Sequence, residues 1–413
     1  MMFAIANFVS GGPIYGCNKI NFLKQNGWNV VMFPVNKGNV YIKDLQQYSE
    51  ECFPFILRNP FNFSEKQREK FLKSMIDRIN LESEQIIIET GTDYTAYWGE
   101  MLAQKINAKH VVFLLDESND RINDKVIDFW LFKHSRKELF CITPEISEKY
   151  LSKYNKNIRK DEYYSFKAFC TNSVQDYEYE YTNLINKADY TIGTIGRLDK
   201  IFVDKIVDAV CCFANENKNK KIMFCLFGGA KDKYVSKINK KLKECTNITT
   251  FISGYLWPIP LNEIKKCDLF ISGSGSAQIT AHLNIPTISM DVITAKPIGF
   301  IEDCSKYYLT SDKENSIELK DYIESVLLKK YKVEIKNRME IDEFWELACK
   351  EYDKQLKECL YNDDDKLIYF DMKFLTKSRR IIDKIYTFLV FLIGFDNAEK
   401  IRIQVWGKLN KNK

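Results

Sequence analysis

The sequence is poor in the residues that build metal and redox centres. It has three histidines, at 110, 134 and 282, far apart and without ligand-type neighbours, and its twelve cysteines form no C-x-x-C pair. A zinc site is therefore not expected, and the cysteines, mostly set in apolar patterns, read as reduced core thiols. No Gly-Lys-Ser/Thr follows a glycine turn, so there is no Walker loop, and the G-x-G-x-x-G spacing of a dinucleotide fold is missing too. The D-x-D pattern is lacking apart from the run Asp363-Asp364-Asp365, which stands in a polar stretch and reads as solvated, so no metal-bridged diphosphate is expected. The most apolar stretch, Ile385 to Phe395, is well short of the about 20 residues that cross a bilayer. The N-terminal MMFAIANFV has no basic n-region, which argues against a signal peptide and for a cytoplasmic location.

The body of the chain also lacks an excess of either charge. The formal net charge is +5, yet nine Lys/Arg and three Asp/Glu fall between Thr376 and Lys413, which leaves residues 1–375 at about −1. A near-neutral body excludes a nucleic-acid groove across it. What the chain has in plenty is core material. With 413 residues, 45% of them hydrophobic and 14% aromatic, it exceeds one ordinary core. We read residues 1–175 and 188–330 as two domains and 331–413 as a helical extension.

Within each domain the pattern alternates between strand and helix. Asp268 to Ser272 reads as a buried strand, Ser276 to Leu283 as a helix and Pro286 to Met290 as the next strand, joined through Gly273, Ser274 and Gly275. Earlier come an apolar strand from Phe3, broken by Ser10-Gly11-Gly12-Pro13, a helix to about Gln25 and a strand from Asn29 to Pro34. Helices over Ser64 to Ile79 and Tyr94 to Ile106 alternate with strands at Gln85 to Glu89 and His110 to Leu115. A polar, tyrosine-rich stretch from Tyr163 to Lys187 reads as the junction. The alternation restarts with strands at Tyr190 to Ile195, Lys221 to Phe227 and Ile248 to Ile252. Strand, short turn, helix and strand make a parallel crossover, whose loops gather at the carboxyl edge of the sheet where open α/β folds bind ligands.

The loops themselves carry the candidate chemistry. Four in the second half offer bare glycines, a helix start or a cation: Gly196 with Arg197 and Lys200, Gly228 with Gly229, Gly254 with Tyr255, and Ser272 through Ser276. Any one is a tight turn with an N-cap; the set forms a seat for a diphosphate, which needs backbone N–H groups and positive charge together. In the first half two strands end in acidic clusters, one containing Asp93 and the other Asp116 and Glu117. These are either general bases facing a cleft or helix caps.

From Met1 to about Leu328 the order of elements resembles the GT-B glycosyltransferases. SGGPIYGCNKINFLKQNGWNVVMF resembles that family's Gly-Gly loop, helix and strand, with Trp28-Asn29 in place of the usual pair, and TIGTIGRLDK resembles the G-R-L segment opening its second domain. SGSGSAQITAHLNIPTI has the loop-to-proline length of N-acetylglucosaminyl transferases, although Ile279 stands where a glutamate is usual and Gln278 is the polar stand-in. The resemblance implies two facing Rossmann-like domains and a nucleoside diphosphate sugar as donor substrate, with no separate cofactor. Gly11, Gly12, Arg197, Lys200, Gly228, Gly229, Gly254, Tyr255, Ser272 to Ser276 and Gln278 would meet that donor. Asp116 is the favoured base, ahead of Glu117 and Asp93. The implied reaction is transfer to a hydroxyl of a glycan or lipid-linked acceptor in surface or capsular polysaccharide synthesis. Two alternatives stand beside it, a catalytically silent subunit of the same fold and a sugar-nucleotide 2-epimerase.

Beyond Leu375, Lys377, Arg379, Arg380 and Lys384 precede an aromatic-rich apolar stretch, and Lys400, Arg402 and Lys408 follow it. Such a segment suits a helix in the interface of an anionic membrane, here the inner face of the plasma membrane, or one that packs on the first domain. Under the first alternative a chain ending at Leu375 stays folded.

Overall fold

In the computed structural model, residues 2–3, 11–34, 42–48, 52–83, 85–91, 93–115, 127–142, 144–152, 158, 163–165, 174–176, 188–273, 275–292, 294–301, 317–329, 346, 349–354, 367–372, 385, 388–390, 392–393, 397–398 and 401 are described. The first half runs β1 (Met2–Phe3), α1 (Gly11–Gln25), β2 (Phe33–Pro34), α2 (Glu65–Ile76), β3 (Ile87–Thr90), α3 (Asp93–Ile106), β4 (Lys109–Leu114), α4 (Ile127–Ser135), β5 (Leu139–Cys141) and α5 (Pro144–Leu151). β3, β4 and β5 form a parallel sheet in that order, and β1 pairs in parallel with β2 while lying beside β3.

Local sequence explains several of these boundaries. Ser64 accepts the N–H of Gln67 and Gln67 accepts the N–H of Ser64, a capping box that starts α2 where the sequence places it. That helix stops at Ile76, as the chain turns through Asp77 and Arg78. The expected strand from Asn29 is regular only at Phe33–Pro34, because the ladder with β1 begins at Met2 opposite Phe33.

The second half contains β6 (Val174–Gln175), β7 (Tyr190–Ile195), α6 (Ile201–Glu216), β8 (Ile222–Phe227), α7 (Asp232–Leu242), β9 (Ile248–Ile252), β10 (Ile259–Pro260), α8 (Leu261–Lys265), β11 (Leu269–Ser272), α9 (Gly275–His282), β12 (Thr287–Met290), β13 (Pro297–Phe300) and α10 (Leu319–Leu327). Its main sheet has six strands in the order β13-β12-β11-β7-β8-β9, all parallel except β13. β8 reads IMFCLF without alternation because both its faces are covered. Ile222, Phe224 and Leu226 join one apolar cluster with Phe202, Ile206 and Val210 of α6, and Met223, Cys225 and Phe227 join another with Ile264 and Ile285. Each such side chain contributes ~1.5–3 kcal/mol on burial. β13 escapes sequence reading because it holds a proline and a glycine, which an edge strand tolerates and a central one does not.

Five described residues after 330 are buried against the first half. Tyr352 is buried with Ile14, Phe22 and Phe113, Phe370 and Met372 with Phe129 and Leu139, and Val390 and Ala398 with Phe33, Phe53 and Trp98. The expectation that a chain ending at Leu375 stays intact is therefore corrected: such a cut strips Val390 and Ala398 from a core they help to close. Among the described residues no helix is long and apolar enough to cross a membrane.

Candidate functional site

The strand order of the second sheet reverses beside β7. From β7 the chain steps to β8 and β9 on one side, then returns to lay β11 and β12 on the other. Loops leaving β7 and β11 must therefore diverge to opposite faces, and the crevice between them is where open α/β sheets take ligands. Gly196, Arg197 and Lys200 follow β7; Gly273, Gly275 and Ser276 follow β11. A β-carbon placed on Gly196 would lie 3.6 Å from the Ser276 hydroxyl oxygen, which brings the two loops face to face.

The neighbouring loops close on the same point. A β-carbon at Gly228 would come within 1.7 Å of the Gly196 carbonyl oxygen, so the two turns touch backbone to backbone. At Gly229 it would meet Tyr255 at 2.8 Å, which ties the turn after β8 to the one after β9. The Leu198 N–H donates to the Gly229 carbonyl at 3.1 Å and the Gly196 N–H to that of Phe227 at 3.1 Å. Gly228→Ala is accordingly expected to force these turns apart and to destabilise by ~1–3 kcal/mol through overpacking, measured by urea unfolding. An unchanged midpoint would show that the turns can give way to a β-carbon.

Two residues of the sequence set take internal roles. The Ser272 hydroxyl is buried and donates to the Ile195 carbonyl at 2.7 Å, so it ties β11 to β7. Gly273 is required by packing, since a β-carbon there would meet the Phe202 ring at 2.9 Å. Ile279 points into the core at 2% exposure, whereas Gln278, next to it on α9, is half-buried. The Arg197 Nε lies 3.3 Å from Asp199, with both side chains about one-third exposed (35% and 31%), and Lys200 stands 5.5 Å over the Phe202 ring. Gly254 has φ +71, a turn conformation that suits glycine. Ser274 lies outside the described residues.

In the first half, Gly11 and Gly12 open α1 and Asp93 opens α3. Asp116 and Glu117 lie outside the described residues, but Leu115 immediately before them packs in one apolar cluster with Ile14 and Tyr15 of α1, Ile142 after β5, and Trp257 from the loop after β9. That cluster joins the carboxyl edge of the first sheet to the Gly254 loop of the second half.

Sequence reading missed two buried polar networks beneath this edge. Lys19 on α1 is 0% exposed, 2.8 Å from Glu89 of β3, donating to the Tyr15 hydroxyl at 2.6 Å and lying 3.7 Å over the Phe113 ring; Tyr352 also bonds Glu89. In the second network the Lys133 ammonium donates to Glu100 at 2.9 Å, Glu138 at 2.6 Å and the His110 carbonyl at 2.8 Å, which uses all three of its protons. His110 faces Glu100 through Nδ1 at 2.6 Å and Thr90 through Nε2 at 2.9 Å. A carboxylate needs a donor, so Nδ1 carries the proton and Nε2 accepts from the Thr90 hydroxyl. Burial, then Lys133, pushes the His110 pKa down and keeps the ring neutral. Burial pushes Glu100 up, but Lys133, His110 and the Phe370 N–H outweigh it and hold its pKa at about 2. Lone lysines and histidines in apolar runs carry no sequence signal for such partners, which come from different elements.

No family model matches the sequence, and no curated relative does. Solved structures do resemble it. Anabaena Alr3699/HepE, in a crystal with UDP and glucose, superposes with a TM-score of 0.56 at 13% identity over 88% of this chain and 97% of its own. A glycosyltransferase from Rickettsia africae ESF-5 gives 0.57 at 14% identity over 87% and 98%. UDP-GlcNAc 2-epimerase of Methanocaldococcus jannaschii, with UDP-GlcNAc and UDP, gives 0.46 at 15% identity over 86% and 98%. With its parallel sheets, its reversal of strand order at β7 and the superpositions on HepE and the Rickettsia glycosyltransferase, the chain has the GT-B fold, an α/β architecture of two Rossmann-like halves.

Proposed function

We propose that this chain is a glycosyltransferase that moves a sugar from a nucleoside diphosphate sugar to a hydroxyl of a glycan or lipid-linked acceptor, in the synthesis of a surface or capsular polysaccharide. The observation that carries this reading is the convergence of the Gly196, Gly228 and Gly273–Ser276 turns at the point where the strand order reverses. Backbone N–H groups at the start of α9, facing the Gly196 turn that Arg197 and Lys200 follow in sequence, suit the leaving diphosphate, whose negative charge grows as the glycosidic bond breaks. Asp199 pairs with Arg197 at 3.3 Å, and in this reading the guanidinium turns to the diphosphate when donor binds. HepE was crystallised with UDP and glucose, and we carry that donor class over to this site. Asp116 is the proposed base, taking the acceptor proton as the hydroxyl oxygen attacks the anomeric carbon, with Glu117 and Asp93 behind it. In this reading the two cations neutralise the leaving group without a bound metal, and the enzyme works in the cytoplasm with 1–175 holding acceptor and 188–330 holding donor.

The test is incubation of the purified chain with a panel of nucleotide sugars, with and without chelator, followed by product analysis. With glycan or lipid-linked acceptors added, a glycosylated acceptor formed together with nucleoside diphosphate supports the proposal; a C2-epimerised sugar, free or on the nucleotide, marks a 2-epimerase, and no turnover of any donor marks a silent binding subunit. Arg197→Ala is expected to lower transfer by on the order of tenfold to a thousandfold, because its contact is strongest to the departing diphosphate. A folded variant with an unchanged rate would move the donor site elsewhere.

A further inference from the structure

The outer side of α7 is a lysine stripe. Residues 231–244 read KDKYVSKINKKLKE, six lysines against Asp232 and Glu244 at the two ends. Ile238 and Leu242 are buried and fix the side of α7 that faces the core. Lys233, Lys237 and Lys240, four and three residues apart, therefore stand in line on the opposite, exposed side, flanked by Lys241 and Lys243. Two of these cations serve the fold itself, since Lys237 pairs with Asp204 of α6 and Lys241 with Asp208 of the same helix. Among the described residues, Lys233, Lys240 and Lys243 have no acidic partner. Like charges at this spacing repel one another, and a polyanion laid along them relieves that repulsion.

Position and composition decide what the stripe meets. α7 begins three residues after Gly229, at the turn that the Leu198 N–H and the Tyr255 ring tie to the crevice. Its 11 residues run about 16 Å away from that turn. Between the lysines the exposed residues are Ser236 and Asn239, with no arginine and no exposed aromatic or aliphatic side chain. A bilayer takes up inserted apolar side chains, and a nucleic-acid strand is held by bases stacked on aromatic rings, so this face suits neither. One extended polymer with an anionic group on its repeat does match a straight row of point charges. We infer that α7 is a rail for an anionic glycan, one that carries a carboxylate or phosphate on its repeat. On the transferase reading that glycan is the acceptor: its reacting hydroxyl stays with the first half, and the rest of the chain leaves the crevice over α7. That the polymer is an acceptor rests on the transferase reading; that α7 holds an anionic glycan does not, and the two are measured separately.

The experiment is fluorescence anisotropy of labelled hyaluronan, a uronate-bearing glycan, and of neutral dextran of equal length, with the full chain, no donor, and low or high salt. Hyaluronan is expected to bind and dextran not, with an affinity that falls as salt rises. Lys233→Gln/Lys240→Gln/Lys243→Gln is expected to bind hyaluronan ~tenfold or more weakly, as three cations leave the contact, with an unchanged unfolding midpoint and unchanged affinity for nucleoside diphosphate. A charge-matched variant at exposed positions of α2, Lys66→Gln/Lys70→Gln/Lys73→Gln, is expected to bind like the parent. The proposal is overturned if dextran binds as well as hyaluronan, if the α7 variant keeps the parent's affinity, or if the α2 variant loses as much. It is also overturned if a single-stranded oligonucleotide or phosphatidylglycerol vesicles bind more tightly than hyaluronan through the same three lysines. Hyaluronan held by α7 in a chain that turns over no nucleotide sugar would support the rail and remove the transferase reading alone.

Discussion

Replacing Lys133 by methionine is expected to lower stability by ~3–5 kcal/mol, because removing one partner of a buried ion network leaves Glu100 charged without its cation, although Glu138 keeps Lys109 at 3.1 Å. Methionine keeps most of the volume, so the loss reports charge rather than a cavity. Glu100 and Glu138, both buried, would each lose a hydrogen-bonded cation, and Glu100 also fixes the tail by accepting the Phe370 N–H at 2.8 Å. The pH dependence follows from the directions of the shifts. Glu100 is held at about 2 against an ordinary 4.5, so its contribution is complete above the ordinary value and is lost as pH falls toward 2. His110 is pushed below its ordinary 6.5; once the pH drops under that value the unfolded chain takes up a proton that the folded chain refuses, and stability declines. In Lys133→Met the Glu100 carboxyl is relieved by protonation, so the difference from the parent chain shrinks on acidification. Urea unfolding at neutral and acid pH measures both effects. A loss under about 1 kcal/mol at neutral pH would place the network in the range of a surface pair.

Asp116→Asn is expected to reduce transfer by ~10²–10⁴-fold while leaving nucleotide affinity nearly unchanged, the mark of a general base that acts on the acceptor and not on the donor. Leu115, the residue before it, packs with α1 and Trp257 at the carboxyl edge of the first sheet, opposite in sequence to the donor loops. Single-turnover transfer with a saturating donor, alongside calorimetric titration of the nucleoside diphosphate, separates the two quantities. If Asp116→Asn keeps its specific activity and instead unfolds more easily, the residue caps a helix, and Glu117 or Asp93 becomes the base to test.

Sequence alone determined the five parallel strands of the second half's main sheet to within a residue or so of their ends. Most of these strands are short apolar runs closed by glycine, and α6 shows the apolar spacing Phe202, Val203, Ile206, Val207 and Val210. Local rules suffice where an element's own residues specify its period and its ends, as the Ser64 capping box also shows. The four glycine turns were legible for the same reason, since a turn that needs φ above zero or a bare backbone names its residue. The tertiary structure decided what depends on distant partners. It alone placed β11 beside β7 and so put the Gly196 and Ser276 turns together, because strand order is set by sheet packing and not by any one segment. It showed internal roles for the Ser272 hydroxyl and for the bare backbone of Gly273, as Ile195 and Phe202 occupy the space beside them. It assembled Lys133, Glu100, His110 and Glu138 from α3, α4, β4 and a turn, since a buried charge is tolerable only where the fold supplies its complement. And it set Val390 and Ala398 into the core of the first half while leaving Ile385, Phe388 and Leu392 exposed, because only that core had room for them.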